Sequence, residues 1–119
     1  MRGIIAVDFD GTLCEDCFPE CGYPNLNLIN YLIKKQNEGA RIILWTCRNG
    51  KDLDVAVSFC KKHKLLFDAV NENLPEIIER YGSDSRKIFA DIYIDDKAWT
   101  PGWGEEQEED YYERDEKYA

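Results

Sequence analysis

The sequence lacks any apolar run long enough to cross a bilayer, so no membrane-spanning helix and no membrane partner are expected. No secretion signal is visible either, because the first apolar stretch breaks at Asp8 after a few residues. Internal repeats and low-complexity linkers are absent, and 119 residues leave room for one core and little more. Histidine occurs once, as His63 in the basic run Lys61-Lys62-His63-Lys64 at a helix end. A solvated residue that favours the helix dipole is the expectation there, not a catalytic one. The five cysteines are an odd number without paired-knuckle spacing, which points to reduced thiols in a cytoplasmic protein. Cys14, Cys17 and Cys21 do sit close in sequence, and a zinc-bound loop completed by Cys47 or His63 stays open as the alternative.

The negative charge is plentiful but uneven. Eight acidic residues between positions 105 and 119 face only Arg114 and Lys117, so this stretch carries six of the nine net negative charges. It reads as an acidic C-terminal tail on a single domain spanning 1–104. The balance speaks against broad electrostatic binding to nucleic acid. The tail, with Tyr111, Tyr112 and Tyr118 and with Trp99 and Trp103 ahead of it, either packs on the core or docks a protein partner.

Four apolar strands are expected: Ile4–Val7, Arg41–Thr46, a short one near Phe67–Val70, and Ala90–Ile94. Between them, helices are expected over Asn25–Glu38, Lys51–His63 and Pro75–Tyr81, the last opened by proline and closed by Gly82. The stretch Cys14–Pro24, with Pro19, Gly22 and Pro24, reads as a loop or small flap. This alternation predicts an α/β fold with a mainly parallel sheet of four or five strands, covered on both faces. No strand is evident after Asp96, where Pro101, Gly102 and Gly104 interrupt the pattern.

Polar residues fall where such a sheet binds ligands. Asp8 and Asp10, then Thr46, then Asp95 and Asp96 each follow an apolar strand at its carboxyl end, and in a parallel sheet those ends share one edge. Period two along a strand lets Asp8 and Asp10 converge on one spot, while Gly11 turns the chain. Carboxylates crowded together repel unless a cation sits among them, and oxygen ligands suit Mg²⁺ better than Zn²⁺.

These residues resemble the haloacid dehalogenase superfamily. Asp8-Phe9-Asp10-Gly11-Thr12 is similar to its first motif, Thr46 after Ile42–Trp45 to its second, Lys87 to its third, and Ile94-Asp95-Asp96 to its fourth. The resemblance covers residues 4 to 97 and implies a three-layer Rossmann-like fold. It further implies a phosphatase in which Asp8 is the nucleophile and Asp10 the general acid and base. Thr46 and Lys87 would bind the phosphoryl oxygens, beside Phe9 and Cys47. Mg²⁺ would sit on Asp8, the backbone carbonyl of Asp10, Asp95 and Asp96. Arg86 precedes Lys87, so the third-motif cation stays ambiguous. Arg48 and Asn49, just past Thr46, are expected to touch substrate. Only 38 positions separate Asp8 from Thr46 and 41 separate Thr46 from Lys87, too few for the family's cap domain. The expected substrate is a small phosphorylated metabolite or a nucleotide. A catalytically silent phosphate- or partner-binding module is the alternative; a receiver domain fits less well, because there the acid pair precedes the phosphoacceptor by a strand.

Overall fold

Ile4–Val7 (β1) is buried along its whole length, the mark of a strand covered on both faces. The structure, a computed structural model, describes residues 3–97. The acidic tail and its aromatic residues, with the end of the expected 1–104 domain, lie outside the described residues.

After β1 the chain forms β2 (Cys14–Cys17), β3 (Glu20–Pro24), α1 (Leu26–Asn37) and β4 (Arg41–Leu44). It continues through α2 (Gly50–Lys62), β5 (Ala69–Val70), α3 (Pro75–Tyr81) and β6 (Ile92–Ile94). Four strands make a parallel sheet in the order β5-β4-β1-β6. Two moves run outward from β1, and the third returns to its other side. With right-handed crossovers this puts α1 and α2 on one face and α3 on the other.

The packing agrees. Ile5, Val7, Ile42 and Leu44 meet Ile29 and Leu32 of α1 and Ala56 and Cys60 of α2. Ile4, Ile43 and Ala69 meet Leu74 and Ile77 at α3 and Ile88 beyond it. The result is a three-layer Rossmann-like α/β fold. No cap domain is present among the described residues, and none of their helices is long and apolar enough to cross a membrane.

Helix ends follow local chemistry. The Asn25 side chain accepts from the Leu28 amide at the start of α1, and Pro75 opens α3. Gly82 closes α3 with φ 75°, a conformation glycine adopts without strain. Two aspartates serve the sheet's amino end. Asp68 Oδ2 accepts from Ile42 N–H at 2.7 Å, and Asp91 Oδ2 accepts from Ile4 N–H at 2.8 Å. Each caps a strand edge that would otherwise lack a partner.

The expected flap at Cys14–Pro24 is a two-stranded antiparallel hairpin, β2 against β3. Its second strand packs against α2.

Candidate functional site

Asp8 leaves the sheet between its two neighbours. Trp45 N–H donates to the Val7 carbonyl at 2.9 Å, and Asp8 N–H donates to the Ile94 carbonyl at 3.0 Å. The chain then turns around the Phe9 carbonyl, which accepts from Thr12 and Leu13 amides at 3.1 and 2.9 Å. The Phe9 ring is fully buried, and its amide donates to Asp8 Oδ1 at 2.8 Å. Phe9 thus fixes the orientation of the Asp8 carboxylate from the backbone. Asp8 stands at the switch point of the sheet, where strand order reverses about β1.

Asp8, Asp95 and Asp96 offer carboxylate oxygens within 4.8 Å of one another. Burial pushes the Asp8 carboxyl above the usual aspartate range, opposed by the Phe9 amide, and the charges of Asp95, Asp96 and Asp10 push the same way as burial. Asp96 moves in the opposite direction, held below its usual range chiefly by Lys97, whose Nζ lies 3.1 Å from Asp96 Oδ2. The contrast is physical: Asp8 is half-buried, whereas Asp96 has an ammonium partner in solvent. Lys97 N–H also donates to Asp95 Oδ1 at 3.1 Å.

These acids line an open cleft of about 460 Å³ together with Asp10, Thr46 and Cys47. Asp16 of the hairpin, Trp45 and Lys97 complete its walls. Thr46 is held from two sides. Its amide donates to Asn71 Oδ1 at 2.8 Å, and its Oγ1 accepts from Arg48 N–H at 3.2 Å. The hydroxyl accepts in that bond, which leaves its own proton to donate to a ligand in the cleft. The sheet edge therefore gathers Asp8, Asp10, Thr46, Cys47, Asp95 and Asp96 as expected.

Three expected site residues lie elsewhere. Arg48 does not line the acid cleft. Its side chain is only 1 % exposed, and all five guanidinium donors are engaged. Nε and Nη2 grip Asp10 Oδ2 and Oδ1 at 2.9 and 2.8 Å. The remaining donors bind the Pro19, Glu20 and Asp52 carbonyls at 2.8–3.1 Å. Asp10 in turn raises Arg48 above its usual basicity. Asp10 lines the cleft, but its carboxylate is turned to this partner and stands outside the acid trio. Asn49 is exposed at the start of α2 and makes no side-chain capping bond.

Lys87 also departs from expectation. It lines a second cleft of about 430 Å³ on the α3 side of the sheet, with Ile77, Tyr81, Phe89 and Tyr93. Its Nζ lies 5.9 Å from the Tyr93 ring centroid. The preceding loop is pinned there by the buried Asn73, which bonds Asp84, Ser85 and Phe89. Among the described residues the ammonium lining the acid cleft is that of Lys97.

Cys14, Cys21 and Cys60 share one side of the core, but among the described residues no cysteine belongs to a group close enough to hold a metal. Cys14 and Cys60 are buried, and burial pushes their thiols up to about 11 and about 12. Among the described residues, the carboxylate trio is the cluster whose ligand atoms approach closely enough for a metal. His63 ends α2 with its ring against Phe59, 4.9 Å between centroids.

Sequence reasoning passed over Asn71, Lys97, Asp16 and the structural role of Arg48. Asn71 follows β5 as Thr46 follows β4, so the strand-end rule could have found it. Asp16 and Arg48 depend on where the hairpin lies, which no local pattern encodes.

No family model matches this sequence, and no curated protein matches it. Among solved structures, the chain is similar to one described as the conserved protein coded by locus from Bacteroides thetaiotaomicron. The two share 38% sequence identity with a TM-score of 0.73, over 95% of this chain and 93% of that one.

Proposed function

We propose that this chain, which belongs to the same family as the conserved Bacteroides thetaiotaomicron protein, is a Mg²⁺-dependent phosphomonoester hydrolase of the haloacid dehalogenase type. The observation that carries the reading is one cleft holding the backbone-oriented Asp8, the neighbouring acids Asp95 and Asp96, and the Thr46 hydroxyl. Asp8, Asp95 and Asp96 fit a hard divalent cation. They offer only oxygen, their ligand atoms lie within 4.8 Å, and a cation would relieve the mutual repulsion that adds to burial in raising Asp8. When bound, Mg²⁺ would offset the negative charge of the phosphoryl group and its nucleophile.

The residues themselves divide the reaction into two displacements. An Asp8 oxygen attacks phosphorus and forms an aspartyl-phosphate as the ester P–O bond breaks. The electron pair of that bond stays on the ester oxygen, which takes a proton from Asp10 and leaves as the alcohol. Water then attacks the phosphorus, gives a proton to Asp10, and the P–O bond to Asp8 breaks. Inorganic phosphate departs and both carboxyl groups return to their starting states. Thr46 donates its hydroxyl proton to a phosphoryl oxygen throughout, and Lys97 supplies positive charge at the cleft's rim. The open cleft admits a small phosphorylated metabolite or a nucleotide.

Engagement of Asp10 by Arg48 favours a second reading, a catalytically silent module that binds phosphate in the same cleft. Turnover separates the two. Wild-type protein should hydrolyse p-nitrophenyl phosphate with Mg²⁺ and not after chelation, and Asp8→Asn should fall to background. Tight phosphate binding without turnover would leave the silent module.

A further inference from the structure

We infer that Arg48 is the positioning residue for Asp10, and that it couples the placement of this proton donor to the hairpin. The inference rests on the phosphatase reading and extends it to how the general acid is aimed. One planar guanidinium joins two parts of the chain. Its Nε–Nη2 edge forks both Asp10 oxygens, while Nη1 and Nη2 bind the carbonyls of Pro19 and Glu20 at the hairpin tip. The group also lies over two rings, 4.8 Å from the Phe9 centroid and 5.0 Å from that of Phe18 in the hairpin.

The arrangement does more than fill space. Buried ion pairs contribute little net stability over apolar residues of similar volume, because desolvation offsets their attraction. Their better-attested use is to specify geometry, and a bidentate fork fixes a carboxylate's plane as well as its position. Asp10 keeps 20 % side-chain exposure and lines the cleft, and a carboxylate oxygen that accepts one bond from the fork retains a second lone pair. The proton is held or handed on there. Any shift of the hairpin tip moves the guanidinium and Asp10 with it.

The consequence is specific to the leaving group. Breaking the ester bond of an alkyl phosphate leaves an alkoxide that needs the Asp10 proton. A p-nitrophenyl ester leaves as a stable phenolate and needs it little. kcat/KM reports the steps through departure of the leaving group, before the aspartyl-phosphate is hydrolysed.

The test compares kcat/KM for benzyl phosphate and p-nitrophenyl phosphate in wild type, Arg48→Met, Arg48→Lys and Phe18→Ala, with circular dichroism verifying each fold. Arg48→Met is expected to lose roughly 100-fold on the benzyl ester, the scale of a misplaced catalytic group, and about 10-fold less than that on the nitrophenyl ester. Arg48→Lys pairs with Asp10 but cannot span both oxygens and the hairpin carbonyls, so its benzyl loss should be intermediate. Phe18 is 56 % exposed, so Phe18→Ala should fold even if Arg48→Met does not. It should lose a few-fold on the benzyl ester alone, a small displacement of the same group. Equal losses on both esters in folded variants, or no loss on either, would overturn the inference while the phosphatase reading stood. Wild-type inactivity toward both esters would overturn the two together.

Discussion

Gly11 and Asp96 are packed against each other: a Cβ on Gly11 would stand 2.4 Å from Asp96 Oδ2. The turn that follows the first acid pair therefore abuts the last one at the cleft. Gly11 also holds φ 79°, where a side chain is strained. Gly11→Ala should cost about 1–2 kcal/mol from the backbone alone. Because the Asp96 carboxylate must swing away, it should also weaken magnesium binding. Thermal unfolding with and without Mg²⁺ reads both effects.

Asp8 predicts a pH dependence of stability. Burial raises its carboxyl, so the folded chain holds that proton more tightly than the unfolded one. Its stabilising contribution is full below the ordinary aspartate value of 3.8 and is lost as pH rises through the raised folded value. In metal-free protein at neutral pH, Asp8→Asn should therefore raise the unfolding temperature. The gain should shrink toward zero as pH falls below the ordinary value. A gain constant across that range would contradict the assignment of strain to the charged form.

Magnesium should stabilise the fold through the trio. At a concentration 100 times the Kd the increment is about 2.7 kcal/mol. Asp95→Asn should abolish most of it while leaving the metal-free unfolding temperature at or above that of wild type. Calorimetric titration of both proteins provides the check.

Asn73 supports the approach to β6. Its side chain bonds Asp84 Oδ1 at 2.9 Å, the Ser85 carbonyl at 3.2 Å and the Phe89 amide at 2.7 Å, all with Asn73 only 2 % exposed. Asn73→Ala leaves the Phe89 amide without its partner and should cost about 1–3 kcal/mol. Urea unfolding with an unchanged slope would locate the loss in the folded state.

The elements were legible where local chemistry decides them. Pro75 and Gly82 bracket α3, and Asn25 caps α1, because these residues act on the backbone beside them. The unbroken apolar run Ile4–Val7 made β1 recognisable, and the strand-end rule led to Asp8, Thr46 and Asp95. The hairpin was not legible. Cys-Glu-Asp-Cys and Glu-Cys-Gly-Tyr-Pro show no alternation of apolar and polar residues, and Arg48 grips the tip from 28 residues away. That grip also explains why Arg48, read as a substrate contact, is buried. Lys87 was placed by its position before β6, but sequence position does not say which side of the sheet a loop follows. Asn73 and the Tyr93 hydroxyl, which donates to the Ile88 carbonyl at 2.5 Å, hold the loop on the α3 side.

The most direct test of the account is to trap the covalent intermediate. Wild-type protein turning over p-nitrophenyl phosphate with Mg²⁺ would be quenched in acid, digested and analysed by mass spectrometry. The account predicts one added phosphoryl group on the peptide that carries Asp8, removable by hydroxylamine and missing from Asp8→Asn. Hydrolysis that proceeds with no phosphoryl-enzyme, or with the phosphoryl group on another residue, would contradict it.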